Sequence, residues 1–381
     1  MTAKLKKIAI VTTTPFILKH FFLEHIVYLA KNYEVNIYTN IKNFSAINTE
    51  NFPVKVFNLR ISREINLLED ILCLFKLNLI FLFCRYDLVI CLGPKAGLFG
   101  SLASFITRTK KRLFIFQGEV WATKTGFYRF FLKSIDQLIV LLSTNVLAVN
   151  YKEKLFLKNE GVDKYGKIKV LGYGSIGGVN TSPPSFVPND RIKFLKKLGL
   201  PSNSIIMLYM GRINREKGLV DLALAFKKNF NSWPNLSLII VGPDEANTSN
   251  FLNKILGECE SRVRFLGYQS DPSLFFYISD FVILPSYREG LPQSILEAFV
   301  YKKPVISTKI YGVEGVVIDR FNGILVKPGD IPGISLAINF LYKNPAKIKL
   351  YGENAYKFVK EKFNKKKVMS LYEKYFDRLL K

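Results

Sequence analysis

The chain repeats one unit of secondary structure, and this repetition narrows the possible folds more than any other property of the sequence. A short apolar run rich in Ile and Val is followed by a polar turn and then by a longer segment with helical spacing. In the N-terminal half, strands are predicted at Lys7–Thr12, Glu34–Thr39, Val54–Asn58, Asp87–Leu92, Arg112–Phe116, Val146–Val149 and Ile168–Leu171. Helices are predicted at Phe16–Lys31, Ile65–Phe83, Ala96–Thr107, Phe127–Leu142 and Lys152–Asn159. This alternation is typical of a doubly wound α/β domain with a parallel sheet.

A stretch rich in Gly, Ser and Pro, from Gly172 to Pro188, interrupts the repeat and is typical of an interdomain linker. The pattern then restarts with strands at Ile205–Met210, Leu236–Val241, Val263–Leu266, Phe281–Leu284, Val305–Ser307 and Ile324–Val326. Helices close the chain at Ile331–Tyr342, Ala346–Lys362 and Lys365–Leu380. A length of 381 residues also favours two domains. The sequence therefore predicts two similar α/β domains with a cleft between them.

The charge balance is strongly basic, with 55 Lys and Arg against 30 Asp and Glu and a formal net charge of +25. Such an excess implies an anionic partner, such as nucleic acid, lipid headgroups or a phosphorylated substrate. The net charge is +13 for residues 1–180, +2 for 181–300 and +10 for 301–381. Zinc-finger and glycine-rich RNA-binding patterns are missing, and the motifs described below lie in the nearly neutral middle. We therefore expect no nucleic-acid partner.

The cysteines and the apolar segments indicate a cytoplasmic protein. The cysteines are Cys73, Cys84, Cys91 and Cys259. They form no CxxC pair, which suits a reducing compartment. Met1–Lys7 runs directly into the apolar stretch Ile8–Val11, which is too short for a signal peptide and lacks a small-residue cleavage site. The most apolar region, Leu67–Phe83, is interrupted by three charged residues, so we expect a buried or membrane-surface helix rather than a spanning one.

The strongest functional signal is the segment Pro285–Ala298, which follows a predicted strand and has the sequence PSYREGLPQSILEA. Pro292 fits the first turn of a helix, where its missing N–H is no loss, and Gly290 permits a ligand to approach the backbone closely. With the helix dipole, nearby backbone amides would form an anion site at the carboxyl edge of the sheet. These amides belong to Leu291, Gln293 and Ser294.

A second motif, Gly211–Gly218 with the sequence GRINREKG, lies between a predicted strand and the helix that begins at Leu219. Arg212 and Lys217 project from this loop, so a phosphate would meet one planar guanidinium and one point charge. Together the two loops predict a site for a pyrophosphate group.

Glu289 lies before the helix that has Pro292 in its first turn, and Glu297 lies inside that helix, so the two carboxylates form a Glu-x7-Glu pattern. Combined with the Gly-Leu-Pro turn, the Arg-x4-Lys loop and the Gly242-Pro243 turn, this pattern resembles the retaining glycosyltransferases of family 4. The α/β–linker–α/β plan extends the resemblance over the whole chain. The resemblance implies the GT-B fold, in which two Rossmann-like doubly wound domains face each other across a cleft.

The resemblance also implies a division of the chain. Residues 1–180 would form an acceptor-binding domain and residues 181–355 a nucleotide-sugar-binding domain. The remaining residues, 356–381, would form a basic C-terminal helix that crosses back to the N-terminal domain.

Roles for single residues follow from the resemblance. Glu289 would contact the hydroxyls of the donor sugar, and Glu297 the ribose of the nucleotide. Arg212 and Lys217 would bind the diphosphate. The remaining donor-binding residues would be Gly290, Leu291, Gln293 and Ser294, with Arg264 and Leu266 beside the base.

The N-terminal half departs from the family at two places. The first turn, Thr12–Phe16, lacks the Gly pair that many members place against the donor phosphates. Where many members carry His-Gly, this chain has Gln117-Gly118, followed by Glu119. We expect Gln117 to donate a hydrogen bond to a sugar hydroxyl and Glu119 to approach the acceptor. The alternative is a turn at the strand end, with Trp121 packed in the core.

Together these features predict a metal-independent hexosyltransferase. It would move a sugar from a nucleotide diphosphate sugar to a lipid-linked or oligosaccharide acceptor, and the family resemblance implies retention of configuration. UDP is the expected nucleotide and GDP the second choice. No Asp-x-Asp metal handle is present, and His20 and His25 cannot form a metal site alone. We therefore expect no metal and no cofactor other than the nucleotide-sugar co-substrate.

Two other functions remain open at this point. A nucleotide-sugar epimerase or hydrolase of the same fold would convert the donor without any acceptor. A basic nucleic-acid-binding protein would account for the net charge alone.

The basic ends of the chain indicate a membrane partner. If the final helix returns to the N-terminal domain, its lysines would lie near the basic acceptor side and make one face strongly positive. These lysines are Lys357, Lys360, Lys362, Lys365, Lys366 and Lys367. We expect a peripheral protein on an anionic cytoplasmic leaflet, anchored in part by Leu67–Phe83 and acting on a lipid-diphosphate-linked saccharide in surface polysaccharide assembly. The alternative is a basic surface that serves only solubility.

Overall fold

A computed structural model describes residues 5–41, 54–62, 64–245 and 247–381. Part of the signal-peptide argument rests on Met1–Lys4, which lie outside the described residues. The chain divides into two compact units. The first comprises Met1–Gly178 with Lys365–Lys381, and the second comprises Val179–Asn364.

The first unit is built on a parallel sheet that has seven strands over the described residues, in the order β3-β2-β1-β4-β5-β6-β7. The strands are β1 Lys7–Thr12, β2 Glu34–Thr39, β3 Val54–Asn58, β4 Leu88–Leu92, β5 Lys111–Ile115, β6 Asn145–Leu147 and β7 Ile168–Lys169. The helices are α1 Pro15–Ile17, α2 Leu23–Ala30, α3 Leu67–Cys84, α4 Pro94–Ile106, α5 Gly126–Leu142 and α6 Tyr151–Asn159. Central strands are buried at nearly every position because helices cover both faces of such a sheet.

The second unit repeats the plan with six strands over the described residues, in the order β10-β9-β8-β11-β12-β13, all parallel. The strands are β8 Ile205–Met210, β9 Leu236–Val241, β10 Val263–Phe265, β11 Phe281–Leu284, β12 Val305–Thr308 and β13 Gly323–Val326. The helices are α7 Pro188–Lys197, α8 Leu219–Lys228, α9 Thr248–Leu256, α10 Ser273–Ile278, α11 Gln293–Val300, α12 Tyr311–Glu314, α13 Ile331–Lys343 and α14 Pro345–Lys362.

The last helix, α15 (Lys365–Leu380), packs with the first unit, where it contacts α2. Its apolar face is buried, and the Tyr372 ring lies 4.6 Å from the buried imidazole of His25. The division proposed from the sequence started this helix at residue 356, whereas α14 continues to Lys362 within the second unit. The six C-terminal lysines are therefore shared between the units, three in α14 and three at the start of α15.

The predicted linker is a packed part of the structure. Ser175 donates its backbone N–H to the carbonyl of Val149 at 2.7 Å, and Ser175 and Ile176 are buried. Pro188, predicted to lie in the linker, instead begins α7, because proline suits the first position of a helix. The Gly, Ser and Pro residues of Gly172–Pro188 therefore permit close backbone packing and the start of α7 rather than a flexible linker.

Helix α3 exposes apolar side chains. Its exposed large apolar residues are Leu67, Leu68, Ile71, Leu72, Phe75, Leu79, Leu82 and Phe83. The exposed charged residues within it are Glu69 and Lys76. Among the residues that the structure describes, no helix has both the length and the apolarity to cross a bilayer.

Candidate functional site

The two sequence motifs meet at the carboxyl edge of the second sheet. Strands β8 and β11 are neighbours, and the strand order reverses direction between them. The loop Gly211–Gly218 follows β8, and the loop Pro285–Pro292 follows β11. In open α/β sheets ligands bind outside the carboxyl ends of the strands at such a switch point. The motifs therefore lie where the topology provides a ligand crevice.

Lys217 and Glu289 form the centre of this site. Lys217 Nζ lies 2.6 Å from Glu289 Oε1, and Ser286 Oγ donates to the same oxygen at 2.8 Å. The two charged side chains are only 12% and 11% exposed. Both donors reach Oε1, so Oε2 of Glu289 is left to accept a hydrogen bond from a ligand hydroxyl.

Close backbone packing holds the two loops together. Gly218 has φ +68°, and a Cβ at this position would lie 2.0 Å from the carbonyl oxygen of Pro285. Tyr287 also donates its N–H to the carbonyl of Glu216 at 2.9 Å, and Arg288 pairs with the Glu216 carboxylate at 2.8 Å. Because these contacts involve main chain on both sides, Lys217 and Glu289 are fixed relative to each other.

Arg212 is held on the other side of the first loop. Its Nη1 lies 3.0 Å and 3.1 Å from the two carboxylate oxygens of Glu245, and Asn214 donates to Glu245 Oε2 at 2.8 Å. The Tyr209 hydroxyl donates to the Arg212 carbonyl at 2.7 Å. Burial raises the pKa of Tyr209 well above its usual value, so this hydroxyl remains a donor. Nη1 alone contacts Glu245, so Nε and Nη2 of the guanidinium have three further N–H donors for an anion.

Helix α11 begins one residue later than the proline argument placed it. Pro292 is the N-cap, with extended backbone, and Gln293 is the first helical residue. The correction follows from the β-region ψ of Pro292, 115°, which a helical residue does not adopt. The amides of Gln293 and Ser294 are in the first turn, where a helix supplies no carbonyl partner, and Leu291 precedes the turn.

Gly290 and Glu289 pack directly against α12. A Cβ on Gly312 would lie 2.0 Å from the Glu289 carbonyl oxygen and 2.7 Å from that of Gly290. The backbone that carries the Glu289 carboxylate is therefore supported from the strand β12 side as well.

Glu297 is half-buried on α11, one helical turn after Gln293. Burial raises the pKa of its carboxyl to about 7, and a hydrogen bond from the Gln293 side chain partly opposes this rise. The carboxyl is thus held next to the first turn of the helix, where a ribose hydroxyl would find it.

Arg264 and Leu266 lie at the end of β10, on the edge of the sheet. The Arg264 guanidinium donates to backbone carbonyls of Leu198 at 2.6 Å and Gly199 at 3.1 Å, and to three carbonyls near its own position. Leu266 donates its N–H to Ile240 and packs against the core. The Arg264 side chain therefore has a structural role, which leaves the backbone here as the part that can meet a base.

Gln117 and Glu119 lie in the first unit, just after β5. The Nε2 of Gln117 is buried and has no hydrogen-bond partner among the described residues. Glu119 is 1% exposed, and Gly118, the residue before it, donates its N–H to the buried carboxylate of Glu153 at 2.8 Å. The expectation that Glu119 approaches the acceptor is therefore not supported by its placement, since burial puts this carboxyl beneath the loop.

Four residues of these sites carried no signal in the sequence. Ser286 lies within the motif Pro285–Ala298, but no role was assigned to it, and Tyr209 lies two residues before the other motif. The Gly242-Pro243 turn indicated the loop of Glu245 but not the pairing of Glu245 with Arg212. Glu153 reads in the sequence as an ordinary residue of the first turn of α6. Contacts between residues about 30 apart in sequence leave no periodic pattern from which they could be predicted.

Comparison with known proteins identifies the second unit. Residues 190–358 match the family Glycosyl transferases group 1. The capsular polysaccharide biosynthesis glycosyltransferase CapM of Staphylococcus aureus is 28% identical over 322 residues, 84% of each chain. The UDP-Gal:alpha-D-GlcNAc-diphosphoundecaprenol alpha-1,3-galactosyltransferase of Escherichia coli is 27% identical over 276 residues, 71% of this chain and 70% of that enzyme.

A solved structure extends the comparison to the fold. The structure of HepE from Anabaena in complex with UDP and glucose has a TM-score of 0.77 and 21% identity, and covers 98% of this chain and 99% of HepE. The predicted resemblance to glycosyltransferases and the predicted GT-B fold, with two Rossmann-like units, are both confirmed. The family match covers the segment that contains both motifs.

Because the Lys217 and Glu289 side chains are largely shielded from solvent, we expect strong coupling between them in a double-mutant cycle. We expect Lys217→Met and Glu289→Gln, alone and combined, to give a coupling free energy of about 1–3 kcal/mol in urea unfolding, because solvent screens a shielded pair little. The exposed pair of Lys302 and Glu353, 52% and 39% exposed, is the matched control and should give less than about 1 kcal/mol. Equal coupling free energies for the two pairs would contradict the conclusion that Lys217 and Glu289 form a shielded ion pair.

Proposed function

We propose that this chain, whose residues 190–358 match the group 1 glycosyltransferases, transfers a hexosyl or N-acetylhexosaminyl group from a nucleotide diphosphate sugar to a glycan acceptor. The observation that carries the proposal is the Lys217–Glu289 pair at the switch point of the second sheet. A cation for phosphate and a carboxylate for hydroxyls lie there 2.6 Å apart.

The chemistry of the donor requires this proximity. In a nucleotide diphosphate sugar the anomeric carbon is bonded directly to an oxygen of the β-phosphate. The group that binds the β-phosphate and the group that binds sugar hydroxyls must therefore lie within a few ångströms of each other. Lys217 meets the first requirement, and Oε2 of Glu289 meets the second.

Arg212 and the first turn of α11 supply the rest of the diphosphate site. The guanidinium offers a planar set of donors, and the amides of the first turn offer fixed ones aligned with the helix dipole. These groups are in place before the reaction, so they stabilise negative charge as it develops on the leaving diphosphate. We propose that Glu297 binds the ribose and that the backbone near Leu266 meets the base.

The reaction breaks the bond between the anomeric carbon and the β-phosphate oxygen and forms a bond from that carbon to the acceptor oxygen. The proton of the acceptor hydroxyl passes to the departing phosphate, which leaves as part of the nucleoside diphosphate. The atoms balance without an enzymic nucleophile. Attack from the face of the leaving group gives retention, as in family 4 glycosyltransferases, to which we assign this chain.

The names of relatives support a finer assignment. HepE binds UDP and glucose in its crystal structure, and the E. coli relative is named as using UDP-Gal and an acceptor on diphosphoundecaprenol. CapM is named for capsular polysaccharide biosynthesis. We therefore propose UDP as the donor nucleotide, with GDP second, and a lipid-diphosphate-linked saccharide of surface polysaccharide synthesis as the acceptor.

A lipid-linked acceptor would bring the enzyme to a membrane, and the first unit has a surface suited to one. Helices α3, α4 and α5 pack side by side, and large apolar residues are exposed on all three. Besides those of α3, they include Phe105, Ile106, Phe127, Phe130, Phe131, Leu138 and Leu141. We call this the apolar face. Large apolar side chains exposed together on neighbouring helices are typical of a surface that meets a membrane or a protein partner.

Basic residues accompany the apolar face. Arg85 follows α3, and Arg108, Lys110 and Lys111 follow α4, all of them exposed. Apolar side chains that enter the headgroup layer, flanked by cations that attract anionic lipids, describe an interfacial surface. We propose that this surface holds the protein on the cytoplasmic leaflet of the cell membrane.

Loss of either cation of the diphosphate site should weaken transfer. We expect Arg212→Ala and Lys217→Ala each to lower kcat/KM by about ten- to a hundredfold, because each removes charge-assisted hydrogen bonds worth roughly 1.5–3 kcal/mol. Both variants should also bind UDP more weakly in a thermal-shift titration. Lys302→Ala, which removes an exposed cation of the same unit, is the control and should leave both quantities unchanged.

Undiminished transfer by both site variants would defeat the diphosphate assignment. Conversion of the donor at the same rate with and without acceptor would instead favour a hydrolase or an epimerase.

We propose that transfer is independent of metal, because the proposed diphosphate site is built on protein cations. We expect full transfer activity in excess EDTA, since Arg212, Lys217 and the α11 amides supply the positive potential that a metal would otherwise provide. Activity lost in EDTA and restored by titrating Mg²⁺ or Mn²⁺ would refute this part of the proposal.

The apolar face should determine membrane binding. In flotation assays we expect binding to anionic liposomes, weak binding to neutral ones, and release by high salt, because salt screens the electrostatic part. Replacing Leu72 and Phe75 by Ser should reduce binding, whereas the same change at Leu336, an exposed leucine of the second unit, should not.

Transfer to a short water-soluble acceptor should be unchanged in all these variants. Liposome binding that depends neither on lipid charge nor on the α3 substitutions would contradict the membrane proposal. The basic surface would then serve only solubility.

A further inference from the structure

The loop after β1 lies at the switch point of the first sheet. Strand β1 pairs with β2 on one side and with β4 on the other, so the strand order reverses direction between β1 and β4. The loops that follow β1 and β4 contact each other, since a Cβ on Gly93, where φ is +90°, would lie 3.6 Å from Thr13 Oγ1. Ligands of open α/β sheets bind at such a point. The first unit therefore offers a ligand position of its own at the carboxyl edge of its sheet.

Two aromatic rings are exposed directly after this loop. Phe16 in α1 is 47% exposed, and His20 is exposed as well. Their ring centroids lie 4.2 Å apart. A helix brings residue i+4 beside residue i, and the wider π-helical turn Leu18–Phe22 also brings i+5, so the ring of Phe21 lies 6.3 Å from that of Phe16. We call these three rings the aromatic platform.

The aromatic platform is held from the buried side of the same turn. Leu18 and Phe22 are fully buried, and the Phe22 ring lies 4.8 Å from the imidazole of His25. His25 Nε2 donates to the carbonyl oxygen of Ile176 at 2.8 Å. Because the side chains beneath it are packed in this way, the turn presents Phe16 to solvent from a fixed backbone.

The aromatic platform is uncharged at neutral pH. Partial burial and the neighbouring charge of Lys19 lower the pKa of His20 below its ordinary value, so its imidazole is neutral there. Neutral aromatic rings have electron-rich faces, which attract the C–H groups of a ligand. A pyranose ring carries C–H groups on its less polar face. The platform is therefore suited to the face of a sugar ring.

Polar groups without partners accompany the aromatic platform. Thr14 precedes α1 as its N-cap, but its hydroxyl makes no capping hydrogen bond, and Oγ1 is buried with no partner among the described residues. The same is true of Gln117 Nε2, in the loop after β5, which pairs with β4. Such groups cost free energy that hydrogen bonds to a ligand would recover. Apolar rings beside groups that bind hydroxyls are what a saccharide requires.

We propose that the aromatic platform forms an acceptor subsite, in which a pyranose ring of the acceptor saccharide stacks on Phe16 while its hydroxyls bind Thr14 and Gln117. The inference rests on the proposed function, because only a sugar transferase needs an acceptor saccharide. It also gives a role to the departure of Thr12–Phe16 from the family. Where many members place a Gly pair against the donor phosphates, this chain presents aromatic rings to a sugar.

Removal of the stacking ring should weaken acceptor binding alone. We expect Phe16→Ala to raise the KM for a short water-soluble acceptor about three- to tenfold, while kcat and the affinity for UDP stay unchanged. Phe16→Tyr keeps the ring and should keep the wild-type KM. Tyr165, 69% exposed, precedes β7 at the opposite edge of the same sheet, so Tyr165→Ala is the matched control and should leave the acceptor KM unchanged.

The hydroxyl of Thr14 should affect binding and stability in opposite ways. Thr14→Val replaces a buried hydroxyl that has no partner by a methyl group, so the melting temperature should not fall. The acceptor KM should nevertheless rise about three- to tenfold, as expected for the loss of one hydrogen bond. If the hydroxyl had only a structural role, the melting temperature would fall and the KM would not change.

Saccharide binding can also be measured without catalysis. Phe16→Trp places an indole on the aromatic platform, whereas Trp121 and Trp233 are each 1% exposed and are shielded from acrylamide. The probes are the methyl glycosides of glucose, galactose, mannose and N-acetylglucosamine. We expect at least one of them to reduce acrylamide quenching of this variant, and Thr14→Val to weaken that protection. Glycerol at the same concentration and UDP are the controls and should give no protection.

An acceptor KM unaffected by Phe16→Ala, or quenching that none of the four glycosides reduces, would overturn the inference. Protection by UDP would also overturn it, because the rings would then bind the nucleotide. Protection by a glycoside, in a protein that transfers no sugar from any nucleotide sugar, would support the saccharide subsite and overturn the proposed function. The two failures are thus distinguishable.

Discussion

The parallel arrangement of both sheets is the constraint on which every proposed site depends. When all strands of a sheet run the same way, their carboxyl ends share one edge, and each strand-end loop is brought beside the loops of its neighbours. Lys217 and Glu289 are 72 residues apart in sequence, but they follow the adjacent strands β8 and β11. The contact of 2.6 Å between them is a consequence of strand order.

This constraint explains which features could be predicted from the sequence. Strands such as β8 and β9 are buried on both faces, so they read as continuous apolar runs and were predicted to the residue. The loop residues that directly follow such strands could therefore be placed at the carboxyl edge of the sheet from the sequence. The role of Arg264 in β10 could not be predicted in this way, because its side chain donates to the carbonyls of Leu198 and Gly199, in a loop far away in sequence.

The corrections have the same origin. Glu119 was expected at the acceptor as the carboxylate that follows Gln117-Gly118, yet its side chain is buried, with 1% exposed. Pro188 was assigned to a linker because it follows a run of Gly, Ser and Pro, but it begins α7. Composition describes what a segment can adopt, whereas burial and hydrogen-bond partners decide what it does adopt.

The electrostatics of the proposed diphosphate site indicate how it would bind a highly charged ligand. Lys217 and Arg212 are each already paired with a carboxylate, Glu289 and Glu245, so the four groups are together neutral. An incoming diphosphate must therefore share cations that have acidic partners, and the remaining attraction comes from the other guanidinium donors and the amides of α11. Such an arrangement lowers the affinity for free phosphate, because simple anions would have to compete with carboxylates. A sugar diphosphate gains what a free anion lacks, since its hydroxyls can bind the Glu289 oxygen that Lys217 does not occupy, and discrimination in favour of the intact donor follows from that geometry.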